Sequence, residues 1–273
     1  MLFVMPRRRI VAIMASEVST SVQRALDILI ALGAAGSRGD SLKVGEVARA
    51  VGREKSQVSR SLKTLAEAGF VDRDPETLAY RLGWRLFTLA ESAGNHRLVN
   101  IAAPILRQLV SRIGERAHLS VLQGDHVLTV LSEQGSSMIQ VIGWVGRSSP
   151  VHSTSAGQAL LTGHSDTAVR QLLRDARFEP GGPASPKNID EMLARLARAR
   201  RQGYAWSDEE FEAGLVAAAA PVVDSQGRVI AAVNVSAPKF RLGRRRDTVG
   251  REVRAAADTI SQLLQEAGEG TVA

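Results

Sequence analysis

Ser41-Leu42-Lys43-Val44-Gly45-Glu46-Val47-Ala48-Arg49-Ala50-Val51-Gly52-Arg53-Glu54-Lys55-Ser56-Gln57-Val58-Ser59-Arg60-Ser61-Leu62-Lys63-Thr64-Leu65 decides how this chain reads. The stretch predicts two short helices joined by a turn at Gly52. In the second, Val58, Leu62 and Leu65 recur at i, i+4 and i+7 and make one buried stripe. Ser56, Gln57, Arg60, Lys63 and Thr64 point away from that stripe, at about 100° per residue. Short hydroxyls, an amide and two cations are the groups that reach base edges and phosphates from a major groove, so the pair reads as a helix-turn-helix. The plainer alternative is a small helical domain whose polar face meets only water.

The flanking sequence extends the motif. Gly69-Phe70-Val71-Asp72-Arg73 and Tyr80-Arg81-Leu82-Gly83 read as paired strands around the turn Asp74-Pro75-Glu76-Thr77-Leu78-Ala79, where Pro fixes φ. That hairpin is a wing, with Arg73 and Arg81 expected to flank the DNA backbone. Upstream, Val22, Ala25, Leu26, Leu29 and Leu32 suggest a first helix with one apolar face, closed by Gly33 and Gly36. A winged helix-turn-helix is therefore expected over residues 19–83. The DNA-contacting set is Gln23, Arg24, Lys55, Ser56, Gln57, Ser59, Arg60, Lys63, Arg73 and Arg81, with Ser56, Gln57, Ser59 and Arg60 at base edges and Lys55, Lys63, Arg73 and Arg81 at phosphates.

The 273 residues leave room for two ordinary domains, and no run of 18 apolar residues is present to span a bilayer. With no cysteine there is no disulfide framework, thiolate metal site or thiol nucleophile, and a reducing cytoplasm is the expected compartment. The net charge of +7 suits a polyanionic partner. It is spread thinly, +2 over residues 1–18, +3 over 19–97 and +2 over 98–273, so the motif carries the argument. Residues 1–18 do not form a secretory signal, because Arg7, Arg8 and Arg9 interrupt the apolar run. They read as a disordered tail or as an over-long start, with Met5 or Met14 as alternatives to Met1; a basic arm reaching a minor groove is the third reading.

Beyond the wing, Trp84 to His96 continues as a linker helix (84–97), with Leu86, Leu89, Ala90 and Ala93 on one side. Its stripe needs a partner, and a second copy of the chain supplies one economically. From residue 98 to about 267 the pattern turns to mixed helix and strand. Ile101, Ile105, Leu109 and Ile113 mark a helix, and His118–Gln123 with His126–Leu131 form a hairpin about Gly124-Asp125. Further strands are expected at Met138–Val145, Leu215–Val223 and Arg228–Ser236, and helices at Ser155–Thr162, Ser165–Arg174, Ile189–Gly203 and near the C-terminus. Phe178–Asn188, rich in Pro and Gly, reads as a mobile loop. The fold class is α+β: a winged helix-turn-helix, a linker helix, and an antiparallel sheet with flanking helices that resembles a GAF-like or profilin-like sensor module.

From Ser19 to about Leu264 the chain resembles the IclR family of bacterial transcriptional regulators. The resemblance rests on Ser21-Val22-Gln23-Arg24-Ala25-Leu26-Asp27-Ile28-Leu29, Gly69-Phe70-Val71-Asp72-Arg73-Asp74-Pro75 and His152-Ser153-Thr154-Ser155-Ala156-Gly157-Gln158-Ala159-Leu160-Leu161. It rests also on Gly203-Tyr204-Ala205, Asp208-Glu209-Glu210-Phe211-Glu212-Ala213-Gly214 and Ala219-Ala220-Pro221-Val222. It implies a homodimer or homotetramer that binds a palindromic double-stranded operator and responds to a small organic acid, with repression the favoured sign. The implied effector contacts are Met138, Ser155, Ala156, Ser207, Ala217, Asn234 and Ser236. Ser155 and Ala156 also stand at a helix start capped by Thr154 or Ser155, where backbone N–H groups favour a carboxylate. Ser207 and Ala217 replace an acid and a cysteine frequent in the family, which implies a roomier, less negative pocket and a bulkier, even aromatic, acid. Trp144 either lines its mouth or packs in the core.

The five histidines (96, 118, 126, 152, 164) have no ligand spacing, so neither metal nor cofactor is expected. A Ser/His hydrolase built on His152 and Ser155 is the rival from another class. It lacks a G-x-S-x-G elbow, and the two residues are three apart at a helix start. A winged-helix DNA-binding protein without ligand control is the other alternative.

Overall fold

In a computed structural model the described residues are 20–36, 39–92, 96–134 and 145–269. The chain divides between residues 92 and 93 into two units. Among the described residues no helix is long and apolar enough to cross a membrane.

The first unit runs α1 (Thr20–Gly36), β1 (Leu42–Lys43), α2 (Val44–Val51), α3 (Lys55–Glu67), β2 (Val71–Arg73), β3 (Ala79–Leu82) and α4 (Trp84–Ser92). Gly52 ends α2 in the left-handed region (φ 64°), a conformation that costs glycine little. The turn to α3 is thereby set, and Val58 and Leu62 are fully buried against Ile28, Leu32 and Val47. The wing pairs β2 with β3 in the register Asp72↔Arg81 and Arg73↔Tyr80, and β1 adds a third strand beside β3. Its turn is held by one carboxylate: Asp74 Oδ1 accepts from the N–H groups of Glu76 (3.0 Å) and Thr77 (2.7 Å) and from the Thr77 hydroxyl (2.9 Å). Those bonds hold its carboxyl below the usual carboxylate range.

The first helix differs from expectation in two ways. Its buried stripe is Ile28, Leu32 and Ala35, whereas Val22, Leu26 and Ile30 are exposed. Both stripes are apolar at helical spacing, and packing on α2 and α3 selects one of them. Gly33 lies inside the helix, which ends at Gly36. Of the linker expected over 84–97, α4 is described to Ser92 and the next helix from His96, and residues 93–95 lie outside the described residues.

The second unit contains α5 (His96–Ile113), β4 (Ala117–Gln123), β5 (His126–Glu133), β6 (Ser148–Pro150), α6 (Ser155–Leu161), α7 (Asp166–Leu172), α8 (Ile189–Gln202), β7 (Ala205–Asp208), β8 (Leu215–Val223), β9 (Val229–Pro238), α9 (Lys239–Leu242) and α10 (Arg246–Glu269). Its six-stranded antiparallel sheet has the order β6-β5-β4-β9-β8-β7. One face packs on α5 and α10 through Leu106, Leu119, Val233, Val235, Val253 and Ile260. The other packs on α6 and α8 through smaller side chains, among them Ala205, Ala219 and Ala232. The strand expected at Met138–Val145 falls outside the described residues except for Val145, which lies in a turn; the partner of β5 is β6. The short edge strand β7 had no strand signal of its own in the sequence.

The segment Phe178–Asn188, expected as a loop, is tied to the chain at Glu209 and Glu210. Gly182 donates to the Glu210 carbonyl (2.9 Å) and Ala184 to that of Glu209 (3.1 Å). Ser185 Oγ accepts from the N–H groups of Gly181 and Gly182 and donates to the Glu210 carbonyl. A Cβ at Gly182 would lie 2.1 Å from the Glu209 carbonyl oxygen, so the glycines there permit close docking.

Gly157 in α6 makes a similar approach: an added Cβ would lie 2.0 Å from the Val151 carbonyl oxygen. Gly157→Ala is expected to destabilise the second unit by about 1–3 kcal/mol in urea unfolding. Gly45→Ala, which meets nothing within 4 Å, is expected to be neutral or to gain up to about 1 kcal/mol. Equal stability of the two variants would contradict the close approach.

Candidate nucleic-acid interface and ligand cavity

A broad concavity lies between the start of α2, the outer face of α3 and the wing. It gathers six cationic side chains, Lys43, Arg49, Lys55, Arg60, Lys63 and Arg73, against two acids, Glu46 and Glu67. Of the expected DNA contacts, Lys55, Ser59, Arg60, Lys63 and Arg73 line it together. Arg73 is held over the Tyr80 ring (5.7 Å), and Lys63 makes only an exposed contact with Glu67 (3.9 Å). The other expected contacts stand apart from this surface. Ser56 and Gln57 occupy the first turn of α3, the latter half-buried. Arg81 is directly opposite Asp72 and 3.6 Å from it, on the ribbon face away from Arg73. Gln23 and Arg24 lie on α1, where Gln23 donates to Asp27 (3.0 Å) and Arg24 is half-buried. Lys43 and Arg49 were missed, because only the packing of α2 against the wing strands brings them to the same surface.

The second unit holds a cavity of about 60 Å³ between its sheet and α6. Ser155, Ala156, Ser207, Ala217, Asn234 and Ser236 all line it; Met138, like Trp144, lies outside the described residues. Strand register explains the convergence. His118 pairs with Asn234, Ser207 with Ala217, and Ala217 with Ser236, so these positions form adjoining rows on one face. Ser120 Oγ donates to Asn234 Oδ1 (3.3 Å) within that face. Above it, Thr154 Oγ1 accepts from the Gly157 N–H (3.1 Å) and caps α6. The earlier N–H groups, at Ser155 and Ala156, precede any intrahelical acceptor and are left for the cavity.

Sequence reasoning missed His118, Ser120, Thr129 and Phe211 in this lining. A usable signal existed: His118 and Ser120 alternate with Leu119 and Val121, a period-2 polar face. His118 is buried, and its pKa is depressed to about 4, first because burial penalises the charged ring and then because of the Arg116 charge. Among the described residues the cavity is lined by a neutral imidazole, hydroxyls, an amide and apolar side chains, with no Lys, Arg, Asp or Glu side chain. At about 60 Å³ it fits a compact ligand.

A second polar cluster adjoins α6. Gln158, buried, donates to Glu210 Oε2 (2.7 Å), and Arg195 Nε lies 3.1 Å from Glu210 Oε1. Burial raises the Glu210 carboxyl to about 7, a rise that Arg195 opposes. His152 belongs to neither cluster. Its Nε2 lies 3.3 Å from the Glu179 carbonyl oxygen, and its ring packs on Phe178 at 4.8 Å.

The chain matches the family model for the IclR helix-turn-helix domain over residues 21–75 and the one for the bacterial transcriptional regulator IclR C-terminal domain over residues 90–262. The chain belongs to the IclR family. It is 31% identical over 217 residues to the HTH-type transcriptional regulator XynR of Escherichia coli (strain K12), covering 79% of this chain and 85% of that one. A solved transcriptional regulator from Rhodococcus sp. RHA1 is similar with a TM-score of 0.70 at 27% identity, over 90% of this chain and 98% of that one. An IclR homolog from Microbacterium hydrocarbonoxydans, complexed with 4-hydroxybenzoate, shares the fold with a TM-score of 0.74 at 24% identity, over 90% and 99%. The IclR-family chain is thus a DNA-binding transcriptional regulator, and its relatives' names decide against the Ser/His hydrolase.

His118 supplies a test of the cavity's electrostatics. Its folded pKa lies below the unfolded value, so the unfolded state binds the extra proton between about pH 4 and 6.5. Stability is expected to rise over that window as pH rises, by about 3 kcal/mol for this residue. His118→Asn should flatten the rise in urea unfolding at pH 4.5 and 7; an unchanged slope contradicts a buried neutral ring.

Proposed function

We propose that this regulator binds a palindromic operator through residues 19–83 and is controlled by a small carboxylic acid bound within residues 98–267, the segment 84–97 linking the two. The observation that carries the reading is the cavity under α6, whose lining converges from β4, β5, β7, β8, β9 and the helix start. Hydroxyls, an amide and two spare N–H groups suit one carboxylate better than a dianion or a cation. The cavity volume favours a compact aliphatic acid. The 4-hydroxybenzoate of the Microbacterium hydrocarbonoxydans homolog makes an aromatic acid the first larger ligand to compare.

On the DNA side, Ser59 and Arg60 read base edges while Lys55, Lys63 and Arg73 neutralise phosphates from the same concavity; Ser56 and Gln57 add contacts from the first turn of α3. Dimerisation uses the exposed apolar residues of the first unit, Val22, Leu26 and Ile30 on α1 and Trp84, Phe87 and Leu89 on α4. A patch of this kind is unusual on a monomer. A dimer presents two recognition helices to two half-sites, and pairs of dimers give the tetramer. The regulator acts in the cytoplasm as a repressor that the acid releases. Ligand binding changes half-site spacing through the linker helices, which requires a coupling of about 1–3 kcal/mol.

The decisive experiment is binding to the gene's own upstream DNA, titrated with aliphatic and aromatic acids. Saturable, palindrome-dependent binding shifted by one acid is expected, and the shift should disappear in Asn234→Ala while DNA affinity stays. Ligand-independent binding instead supports a constitutive winged-helix protein. Arg60→Ala should weaken operator binding by about 1–3 kcal/mol and relax preference at one base. Lys63→Ala should weaken all sequences alike and reduce the salt slope by about 1. Equal losses on operator and random DNA for Arg60→Ala would remove it from the base-reading set.

A further inference from the structure

We propose that the open edge of β7 carries a second ligand site, for a phosphomonoester dianion, separate from the cavity under α6. A polar cleft of about 430 Å³ lies there, between α8, the outer edge of β7 and the start of α10. Arg195, Arg198 and Arg246 line it, with Trp206, Asp208 and Glu210.

The charges in this cleft are unequally committed. Arg195 pairs with Glu210 (3.1 Å) and donates to the carbonyls of Ala184 (2.7 Å) and Glu191 (3.2 Å). Asp208 is taken by Lys239, at 2.8 Å. Arg198 and Arg246 have no carboxylate within ion-pair distance among the described residues; Arg198 acts on Glu210 only through its charge, and Arg246 shares a hydrogen bond with the Tyr204 hydroxyl and rests over the Trp206 ring at 5.8 Å. Two guanidinium groups thus face the cleft in addition to the ion pairs Arg195–Glu210 and Lys239–Asp208. Each presents a planar fork of donors that matches an oxyanion.

The backbone adds donors. β7 is the last strand of the sheet, so one of its edges has no neighbour. The N–H of Glu209 donates inward to Leu215 (2.8 Å), and alternation turns the N–H groups of Trp206 and Asp208 outward to the cleft. Gln202 confirms the parity, since its Nε2 bonds the outward carbonyl of Tyr204 at 2.6 Å. Two cationic forks outside the ion pairs favour a dianion. The volume, several times that of the cavity under α6, leaves room for an organic body beside the Trp206 ring. The cleft also joins the cavity mechanically: Gln158, bonded to Glu210 at 2.7 Å, lies on α6 three residues after Ser155.

The test uses the full chain carrying Trp84→Phe and Trp144→Phe, which leaves Trp206 as its one indole. Glycerol 3-phosphate should give a saturable change in Trp206 emission with Kd below about 1 mM, and calorimetry on the unsubstituted chain should agree. Arg198→Gln should weaken binding at least about tenfold, and Arg198→Lys, which keeps the charge and loses the fork, by less. Arg198 is exposed, so both variants should melt like the parent. Inorganic phosphate binding as tightly as the ester would identify the free ion as the ligand of the same site; weaker binding would assign it to the ester. Absence of saturation, an equal response to sulfate or chloride, or undiminished binding by Arg198→Gln would overturn the proposal.

Discussion

The alternation of side chains along the sheet is the constraint on which the second unit depends. The central strands are covered on both faces, so every residue on them serves one helical layer or the other. On β4 and β9, Leu119, Val233 and Val235 supply bulk to the layer under α5 and α10. The residues between them, His118, Ser120, Asn234 and Ser236, face the cavity. A slip of one residue would exchange the two sets, placing polar groups in the densest core. Stability and cavity shape are therefore fixed by the same register. The small side chains on the cavity face have a packing role as well: Ala219 and Ala232 allow α6 to lie close, and Gly157 completes that approach.

Glu210 is the second point at which several elements meet. A buried carboxylate is tolerated only with partners, and here they come from α6 (Gln158) and α8 (Arg195). Its own carbonyl holds the glycine loop through Gly182 and Ser185, and the next residue, Phe211, lines the cavity. The charge balance of this node is local, since desolvation raises its pKa to about 7 while Arg195 and Arg198 pull the other way. A change at Glu210 is thus felt by the cavity wall, the loop and the α8 packing together.

Much of this organisation was readable from the chain. Helical spacing placed α3 and its buried Val58 and Leu62, and Gly124-Asp125 placed the β4–β5 turn, because local rules act over a few residues. The family resemblance led to six cavity positions spread from Ser155 to Ser236. What could not be read depended on choices between equivalent local patterns or on distant partners. The stripe Val22, Leu26, Ile30 is as apolar as Ile28, Leu32, Ala35, and only tertiary packing distinguishes them. Edge strand β7 is four residues long and pairs with β8 alone, too short for periodicity to register. Phe178–Asn188 carries loop composition, but its glycines serve docking against Glu209 and Glu210.

Charge shows most clearly why the whole-chain view is insufficient. The +7 of the sequence is nearly even along its length, which on its own describes a weakly basic protein. Folding concentrates six cations and two acids on one concave surface, because α2, α3 and the wing each contribute a few. Those side chains remain largely solvated, so their attraction for phosphate carries little desolvation cost and is strongly weakened by salt. The cavity under α6 works in the opposite regime. Among the described residues its lining holds neutral polar groups, several of them buried, and no charged side chain, so a mismatched ligand leaves donors or acceptors unpaired. The two surfaces thus differ in dielectric setting, one suited to salt-sensitive attraction of a polyanion and the other to discrimination by paired polar groups.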